Sequence, residues 1–326
     1  MKEVNSGPAD GLRLRLGISA CLLGQEVRFD GGHKRNAFLT DLLGRYVEWV
    51  PVCPEIEVGM GVPRETVQLV QIGGSTHMVA NQSGRDWTAA MHRYAHRRVA
   101  ELAGEELCGY VLKKDSPSCG MERVKIYGAP GQAPERKGRG LFAAALLERF
   151  PALPVEEEGR LQDAVLRENF IERIFAWQRL RDFFQPRWSV AGLVEFHAAH
   201  KLQLMAHNAV GATALGRVVA AAKGRARDEV RREYEQAFME MLRRPATRRR
   251  HVNVLQHMLG YFKKDLNAAA RQDVAAVIEE YRLGLVPLIV PVTLVRHYVR
   301  LQGVEWLQRQ TYLEPHPREL MLRNQV

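Results

Sequence analysis

The first half of the chain alternates between short apolar runs and longer amphipathic stretches. Runs of strand length occur at residues 13–19, Tyr46–Val52, Cys108–Leu112, Glu122–Tyr127 and Leu153–Glu156. Between them, Trp87–Leu107 and Leu141–Phe150 carry apolar residues at helical spacing. Strands that alternate with helices are typical of an α/β layer with a mainly parallel sheet. We therefore predict an α/β domain over residues 1–157.

Strand signals almost disappear after the acidic segment Glu156–Glu158. Six later segments have apolar positions at helical period: Leu161–Phe184, Val190–Ala206, Ala226–Arg243, His251–Lys263, Ala268–Leu283 and Val292–Gln308. This predicts a second, all-α domain over residues 158–326. Inside the first domain, the segment Gly128–Gly140 is rich in Gly and Pro and is predicted to be a solvated connection, with a lid as the alternative.

The excess positive charge lies almost entirely in the predicted helical domain. Residues 161–326 carry 26 Lys and Arg against 17 Asp and Glu, whereas residues 1–160 carry 21 against 20. Such a domain suits a polyanion, although a solvated, Arg-rich helical surface has the same composition. Phosphate contacts are predicted for Arg243, Arg244, Arg248, Arg249, Arg250, Lys263 and Lys264. The neighbouring aromatic residues Tyr261 and Phe262 are expected in the core more than stacked on bases.

Composition places the chain among globular proteins of the reducing cytoplasm. A hydrophobic content of 46% supports sizeable cores. The sequence contains no run of 18 or more apolar residues, so no membrane span is predicted. Residues 1–10 lack a basic stretch followed by an apolar one, so no signal peptide is expected. Four cysteines without close pairing do not resemble a secreted disulfide framework. We expect a cytoplasmic protein with thiols available for metal binding.

Three of the four cysteines, Cys21, Cys53 and Cys119, each follow a predicted strand. Carboxyl ends of parallel strands share one edge of a sheet, so the three thiols are expected to meet there. Thiolates suit zinc, copper(I) and iron–sulfur clusters, and the absence of a Cys-x2-4-Cys pair argues against structural zinc. Three separate loops fit a [4Fe–4S] cluster with one open iron, and buried structural cysteines are the alternative. Cys108 lies within a predicted strand and is interpreted as core.

Polar residues beside these cysteines suggest proton transfer and substrate binding. Glu55 comes two residues after Cys53, where a carboxylate can deliver or accept protons or stay a surface charge. Ser116 precedes Cys119 in a turn whose hydroxyls either donate to a bound anion or only shape the chain. Substrate contacts are predicted for Asp30, Lys113 and Ser118. Arg64 ends a Gly- and Pro-containing turn and suits a phosphate or carboxylate.

Four motifs resemble the signature of the thiouracil desulfurase family over roughly residues 12–157. They are Ile18–Gly24, Arg28–Gly32, Val52–Glu55 and Lys113–Gly120. The resemblance implies that Cys21, Cys53 and Cys119 hold a [4Fe–4S] cluster whose fourth iron takes up the sulfur of a thiocarbonyl. It also implies that Glu55 and Ser116 are the catalytic carboxylate and serine.

The second half resembles the all-helical domain of tRNA 4-thiouridine desulfidases. The motifs are His200–His207, Asn253–His257, Gly260–Lys263 and Tyr312–Asn324. Their histidines are expected to pack between helices more than to bind metal. Together the two resemblances imply a non-redox, [4Fe–4S]-dependent desulfidase that converts 4-thiouridine in tRNA to uridine and releases sulfide. The alternatives are a desulfurase of free thiouracil or thiouridine nucleotides, and a non-enzymatic iron–sulfur protein that binds nucleic acid.

Overall fold

The computed structural model describes residues 14–129, 131–263 and 265–325. The chain separates into two compact units, Met1–Gln162 and Asp163–Val326. The first unit is α/β and the second is helical, which confirms the predicted fold class. No helix in the described ranges is long and apolar enough to cross a membrane. Two predictions fall outside these ranges: the signal-peptide prediction, on residues 1–10, and the phosphate contact of Lys264.

The first unit contains two four-stranded sheets. Its strands are β1 (Leu14–Ser19), β2 (Val47–Val52), β3 (Val67–Ile72), β4 (Ser75–Ala80), β5 (Gly109–Leu112), β6 (Val124–Tyr127), β7 (Glu135–Gly138) and β8 (Val155–Glu157). The first sheet has the order β2-β1-β5-β8, and all its neighbours are parallel. The second has the order β4-β3-β6-β7 and is mostly antiparallel.

The central strands of the parallel sheet are buried on both faces. Leu16 and Ile18 of β1 lie on one face and Tyr110 and Leu112 of β5 lie on the other, and all four are at most 1% exposed, as is typical of central parallel strands. Gly17 is required between them, because a Cβ there would lie 2.1 Å from the ring of Tyr110. The α-helices in the described residues of this unit are α1 (Pro54–Glu57), α2 (Thr88–Leu102) and α3 (Leu141–Arg149).

The second sheet was not predicted, and it corrects two expectations. The segment 122–127 forms β6 in this sheet, and Glu135–Gly138, predicted as part of a plain connection, forms β7 against it. Pairing with β6 orders these polar residues, which carry no strand signal of their own. The β3–β4 hairpin had a usable signal in the two-residue turn Gly73-Gly74.

The second unit contains seven α-helices in its described residues. They are α4 (Ala164–Phe183), α5 (Val190–Ala220), α6 (Arg227–Leu242), α7 (Arg248–Tyr261), α8 (Ala268–Leu283), α9 (Ile289–Gln302) and α10 (Glu305–Gln308). Helix α5 runs beyond the predicted end at Ala206 and is kinked at Asn208. The predicted helix Val292–Gln308 is divided into α9 and α10 at Gly303, which has a left-handed φ of 64°.

Candidate functional site

The carboxyl edge of the parallel sheet brings three cysteines to one cavity of about 360 Å³. Cys21 lies in the turn after β1, Cys53 directly follows β2, and Cys119 lies in the loop between β5 and β6. Cys108 precedes β5, is buried and does not line this cavity. None of the four cysteines forms a disulfide. The grouping expected from the strand ends is therefore present.

The environment of the three thiols disfavours their ionisation in the absence of a metal. Burial raises the pKa of Cys21 to about 11, while the charge of Lys113 opposes that rise. Burial also raises the pKa of Cys53 and of Cys119. The hydroxyl of Ser19 donates a hydrogen bond to Cys119 and opposes part of its shift. Because only thiolates bind metals, loading of this site would release protons.

The donor set fits an iron–sulfur cluster better than a single metal ion. Across the described residues, no group of three or more His, Cys, Asp or Glu side chains is arranged to hold one ion. In a cubane each thiolate binds a different iron, so its ligands stand farther apart than those of a mononuclear site. Three soft donors from separate loops, facing one cavity, meet that requirement.

Two glycines shape the loop that carries Cys119. A Cβ on Gly140, just before α3, would lie 2.4 Å from the carbonyl oxygen of Ser118 and 2.8 Å from the nitrogen of Cys119. A Cβ on Gly120 would lie 2.8 Å from the carbonyl oxygen of Ser116. The first N–H groups of α3 also bind this loop, since Phe142 donates to the carbonyl of Ser118 at 3.1 Å. Helix α3 thus holds the cysteine loop in place.

A chain of hydrogen bonds joins two serines to Glu55. The hydroxyl of Ser118 donates to Glu55 Oε1 at 2.7 Å, and the hydroxyls of Ser116 and Ser118 are 2.9 Å apart. Because an ionised carboxylate only accepts hydrogen bonds, the Ser118 hydroxyl donates its single proton to Glu55. In the contact between the two serines, Ser116 is therefore the donor and Ser118 the acceptor. Ser118 is 1% exposed, whereas Ser116 is half-buried and lines the cavity. The direction of donation therefore runs from the cavity to the carboxylate.

Arg64 fixes the other side of Glu55. Its guanidinium donates to Glu55 Oε2 from Nε at 3.0 Å and from Nη2 at 2.6 Å. The same side chain, 6% exposed, also donates to the carbonyl oxygens of Val27 and Gly61. The sequence predicted that Arg64, at the end of a turn with Gly and Pro, suits a phosphate or carboxylate. Only the folded structure identifies its partner as Glu55.

Two of the three residues predicted to bind substrate line the cavity, and the third does not. Lys113 lines the cavity, and its amino group pairs with Glu158, which follows β8. Ser118 lines the cavity but is engaged with Glu55. Asp30 does not line it; its exposed carboxylate accepts from the N–H of Gly32 at 3.1 Å and closes its own turn.

Cations that the substrate prediction did not include also line the cavity. Lys34 and Lys114 are exposed and have no acidic partner in the portion of the chain described. Glu57 does not line the cavity but holds the Cys53 backbone in place. Its carboxylate accepts hydrogen bonds from the N–H of Cys53 at 3.0 Å and from the hydroxyl of Tyr94 at 2.8 Å. The role of Glu57 has no distinctive sequence signal.

The basic residues predicted to bind phosphate lie in two places on the helical unit. Arg248, Arg249 and Arg250 occupy the first turn of α7, where the helix dipole disfavours cations. Arg243 and Arg244 precede them and are exposed. Lys263 follows the far end of the same helix, roughly 20 Å away at 1.5 Å per residue. Near it, Phe262 is buried and Tyr261 stacks on Trp306 with ring centroids 4.7 Å apart.

The histidines of the helical unit take part in buried polar contacts. His207 places Nε2 at 3.1 Å from Glu172 Oε2 and Nδ1 at 2.7 Å from the carbonyl oxygen of Arg244. Both partners only accept, so His207 is a doubly protonated imidazolium, and the Glu172 charge raises its pKa against the effect of burial. His200 and His251 are buried and have lowered pKa values of about 3, mainly because of burial.

Two family models match the chain. The model described as 2-thiouracil desulfurase matches residues 16–158. The model described as Protein of unknown function (DUF1722) matches residues 201–317. The two matches fall in the α/β unit and in the helical unit, respectively.

Relatives resemble one part of the chain each. The Uncharacterized protein YbgA of Escherichia coli K12 is 35% identical over 153 residues, which are 47% of this chain and 90% of that protein. The Uncharacterized protein YbbK of Bacillus subtilis 168 is 30% identical over 136 residues, 40% of this chain and 87% of that protein. The solved structure of the [4Fe-4S]-dependent thiouracil desulfidase TudS is 32% identical over 46% of this chain and 94% of its own, with a TM-score of 0.38.

Proposed function

Because the chain belongs to the 2-thiouracil desulfurase family through residues 16–158, we propose that it is a desulfidase that replaces the sulfur of a thiolated uracil ring with oxygen. One observation carries the proposal: Cys21, Cys53 and Cys119 line the same cavity as the Glu55 carboxylate, which is linked through Ser118 to Ser116. Thiols for a soft metal centre and groups for proton transfer thus face one ligand-sized space.

Cys21, Cys53 and Cys119 are the residues that would hold a [4Fe–4S] cluster. When bound through three thiolates, such a cluster supplies an open, Lewis-acidic iron that attracts the sulfur of a thiocarbonyl. Lys113 offsets part of the negative charge around Cys21. Ser19 and Glu57 orient the ligands, through the Cys119 thiol and the Cys53 backbone respectively.

The hydrogen-bonded serines provide a path for the proton of an attacking water. Water beside Ser116 gives its proton to that hydroxyl, Ser116 passes one to Ser118, and Ser118 passes one to Glu55. Arg64 keeps the carboxylate in position and leaves Oε1 as the accepting oxygen. The atoms balance without a redox partner, because a thiocarbonyl and water yield a carbonyl and hydrogen sulfide.

The substrate we propose is 4-thiouridine within tRNA. The support is the arginine cluster around the start of α7, which is suited to successive phosphates. Exposed Lys34 and Lys114 at the cysteine cavity add cations without acidic partners in the described chain. A free thiobase or its nucleotide is the second candidate, because the cavity of about 360 Å³ suits a small ligand. We also propose a cytoplasmic location, because a reducing compartment keeps the thiols available for metal binding.

Desulfidation of thiolated tRNA by anaerobically reconstituted protein tests the function. We expect the thiouridine absorbance to disappear and sulfide to form. Cys21→Ala should abolish both, because it removes a ligand, whereas Cys108→Ala, at a position that is also buried but lies away from the cavity, should retain them. Persistent absorbance with a fully loaded cluster would refute the desulfidase, and turnover of free thiouracil alone would select the second candidate.

The salt dependence of tRNA binding tests the role of the helical unit. In Arg244→Gln/Arg249→Gln, two exposed arginines are neutralised, and the slope of log affinity against log salt should fall by about two, since each phosphate contact contributes about one. The matched control is Arg300→Gln/Arg309→Gln, which makes the same charge change at exposed positions of α9 and beyond α10. Equal changes in both proteins would show that only net charge matters.

A further inference from the structure

A second cavity of the α/β unit, the flanking cavity, has a volume of about 280 Å³ and is not used by the proposed chemistry. It lies beside the second sheet, and Val67, Asp115 and Pro117 line both this cavity and the cysteine cavity. A group attached to a substrate in the cysteine cavity can therefore reach it. The polar residues of its lining are Gln68, Asn81, Asp115, Lys125, Tyr127 and Arg136.

Two cations of this lining are neighbours across the second sheet. Lys125 of β6 and Arg136 of β7 are opposite each other in the antiparallel register. Like charges in such a pair destabilise the pairing of the strands. Arg136 contacts Asp115 at 3.2 Å, whereas Lys125 is exposed and has no acidic partner among the residues that the structure describes. An anion bound by the two cations would remove their repulsion.

Strand β7 fixes Arg136 beside Lys125 although the strand buries little. Three of its four residues are exposed. The fourth, Gly138, allows β7 to lie close to β6, because a Cβ at this position would be 2.8 Å from the carbonyl oxygen of Val124. Arg136 is therefore held in the sheet at a defined distance along β6, and a loop does not carry it.

The charges of the lining match a phosphodiester. Lys125 and Arg136 are positive and Asp115 is negative, so the lining has a net charge of +1. A phosphodiester carries a single negative charge, whereas a terminal phosphate carries about −1.5 to −2 at pH 7. Lys and Arg are common partners of phosphate oxygens. The lining therefore favours a phosphate within a nucleotide chain over one at its end.

The other polar residues of the lining suit a nucleobase. Tyr127 is half-buried and supplies an aromatic ring, on which an unpaired base can stack. The side-chain amide of Gln68 both donates and accepts hydrogen bonds, as the edges of bases do. The amide of Asn81 is already engaged, since it donates to Thr66 Oγ1 at 2.6 Å. A phosphodiester and a base together are the parts of a neighbouring nucleotide.

We propose that the flanking cavity binds the nucleotide that adjoins the thiolated uridine in an RNA chain, so that the α/β unit itself selects a polynucleotide substrate. This role depends on the proposed function, because the thiolated ring must occupy the cysteine cavity. Lys125 and Arg136 hold the linking phosphodiester, and Tyr127 stacks on the neighbouring base. Asp115, which lines both cavities, keeps Arg136 in place. A free thiobase has no group to place in the flanking cavity.

Steady-state kinetics of the loaded full chain with 4-thiouridine and with thiolated dinucleotides test the proposal. The dinucleotides carry one uridine on the 5′ or on the 3′ side of 4-thiouridine. We expect at least one of them to exceed the nucleoside in kcat/KM by about tenfold or more, which is within the usual contribution of one stacked base. The same dinucleotide without its flanking base should lose part of this gain, and a full gain would exclude the stacking on Tyr127.

Two lysine variants test the phosphate contact. Lys125→Gln should lower the ratio of kcat/KM for the dinucleotide to that for the nucleoside by about threefold or more, because one exposed charge contact is lost. Lys137→Gln makes the same charge change next to Arg136 but outside both cavities, and it should keep the parental ratio. A parental ratio near one, an unchanged ratio in Lys125→Gln or an equal fall in Lys137→Gln would overturn the proposal.

Calorimetric titration with the same compounds separates the flanking cavity from the proposed function. If no protein consumed any compound while its cluster was fully loaded, the desulfidase would be refuted. The titration would still test the cavity, since the dinucleotide should bind more tightly than the nucleoside to the parent and to Lys137→Gln, and less so to Lys125→Gln. Equal affinity of the parent for both compounds would overturn the flanking cavity alone.

Discussion

Replacing Glu55 with Gln is expected to lower kcat for desulfidation by about 10²–10⁴-fold, the usual contribution of a positioned base. The amide is isosteric but cannot take the proton that Ser118 donates to Oε1 at 2.7 Å. Because Glu55 is not a thiol ligand, the cluster absorbance should stay at its parental level. Single-turnover kinetics with anaerobically loaded protein would measure the chemical step directly.

Two further variants test whether the proton reaches Glu55 through the two serines or directly from water. Ser118→Ala breaks the path between Ser116 and the carboxylate and should approach the defect of Glu55→Gln. Glu26→Gln changes the same charge in an exposed position outside the cavity lining and should leave kcat unchanged. If Ser118→Ala retained parental turnover, Glu55 would act on water without the serines. Parental turnover in Glu55→Gln would exclude the carboxylate from the chemistry.

His207→Leu is expected to reduce the free energy of unfolding by about 3–5 kcal/mol, because it leaves the buried charge of Glu172 without its partner. His207 and Glu172 are 2% and 5% exposed, so bulk water compensates for little of the lost contact. Urea denaturation followed by helical circular dichroism would measure the loss. The double variant His207→Leu/Glu172→Leu should recover most of it, since both charges are then removed.

The pH dependence of this difference follows from the opposite pKa shifts of the pair. The Glu172 charge raises the pKa of His207, so its stabilising contribution is complete below the ordinary value of 6.5 and declines as pH rises through the folded pKa. Pairing with His207 lowers the pKa of Glu172, so its contribution is present above 4.5 and declines as pH falls through the folded pKa. The parent should therefore exceed His207→Leu most clearly near pH 5–6.5. A pH-independent difference would contradict an ionic contact.

Some features of the site follow from local sequence because strand ends and turns are local. Apolar runs ending at Cys21 and Cys53 place both residues at the carboxyl edge of parallel neighbours, as the β1–β2 register shows. The β3–β4 hairpin could have been predicted from its Gly-Gly turn. The short strand β7 could not have been predicted, since its residues are polar and it forms through antiparallel pairing with β6.

By itself, the sequence determined the α/β-then-helical order of the chain and the alignment of three cysteines with strand ends. Both depend on periodicity within a few residues. Only the tertiary structure decided that Arg64 and Ser118 share Glu55 and that Asp30 closes its own turn. The physical reason is that hydrogen-bond partners far apart in sequence depend on packing, which no local pattern encodes.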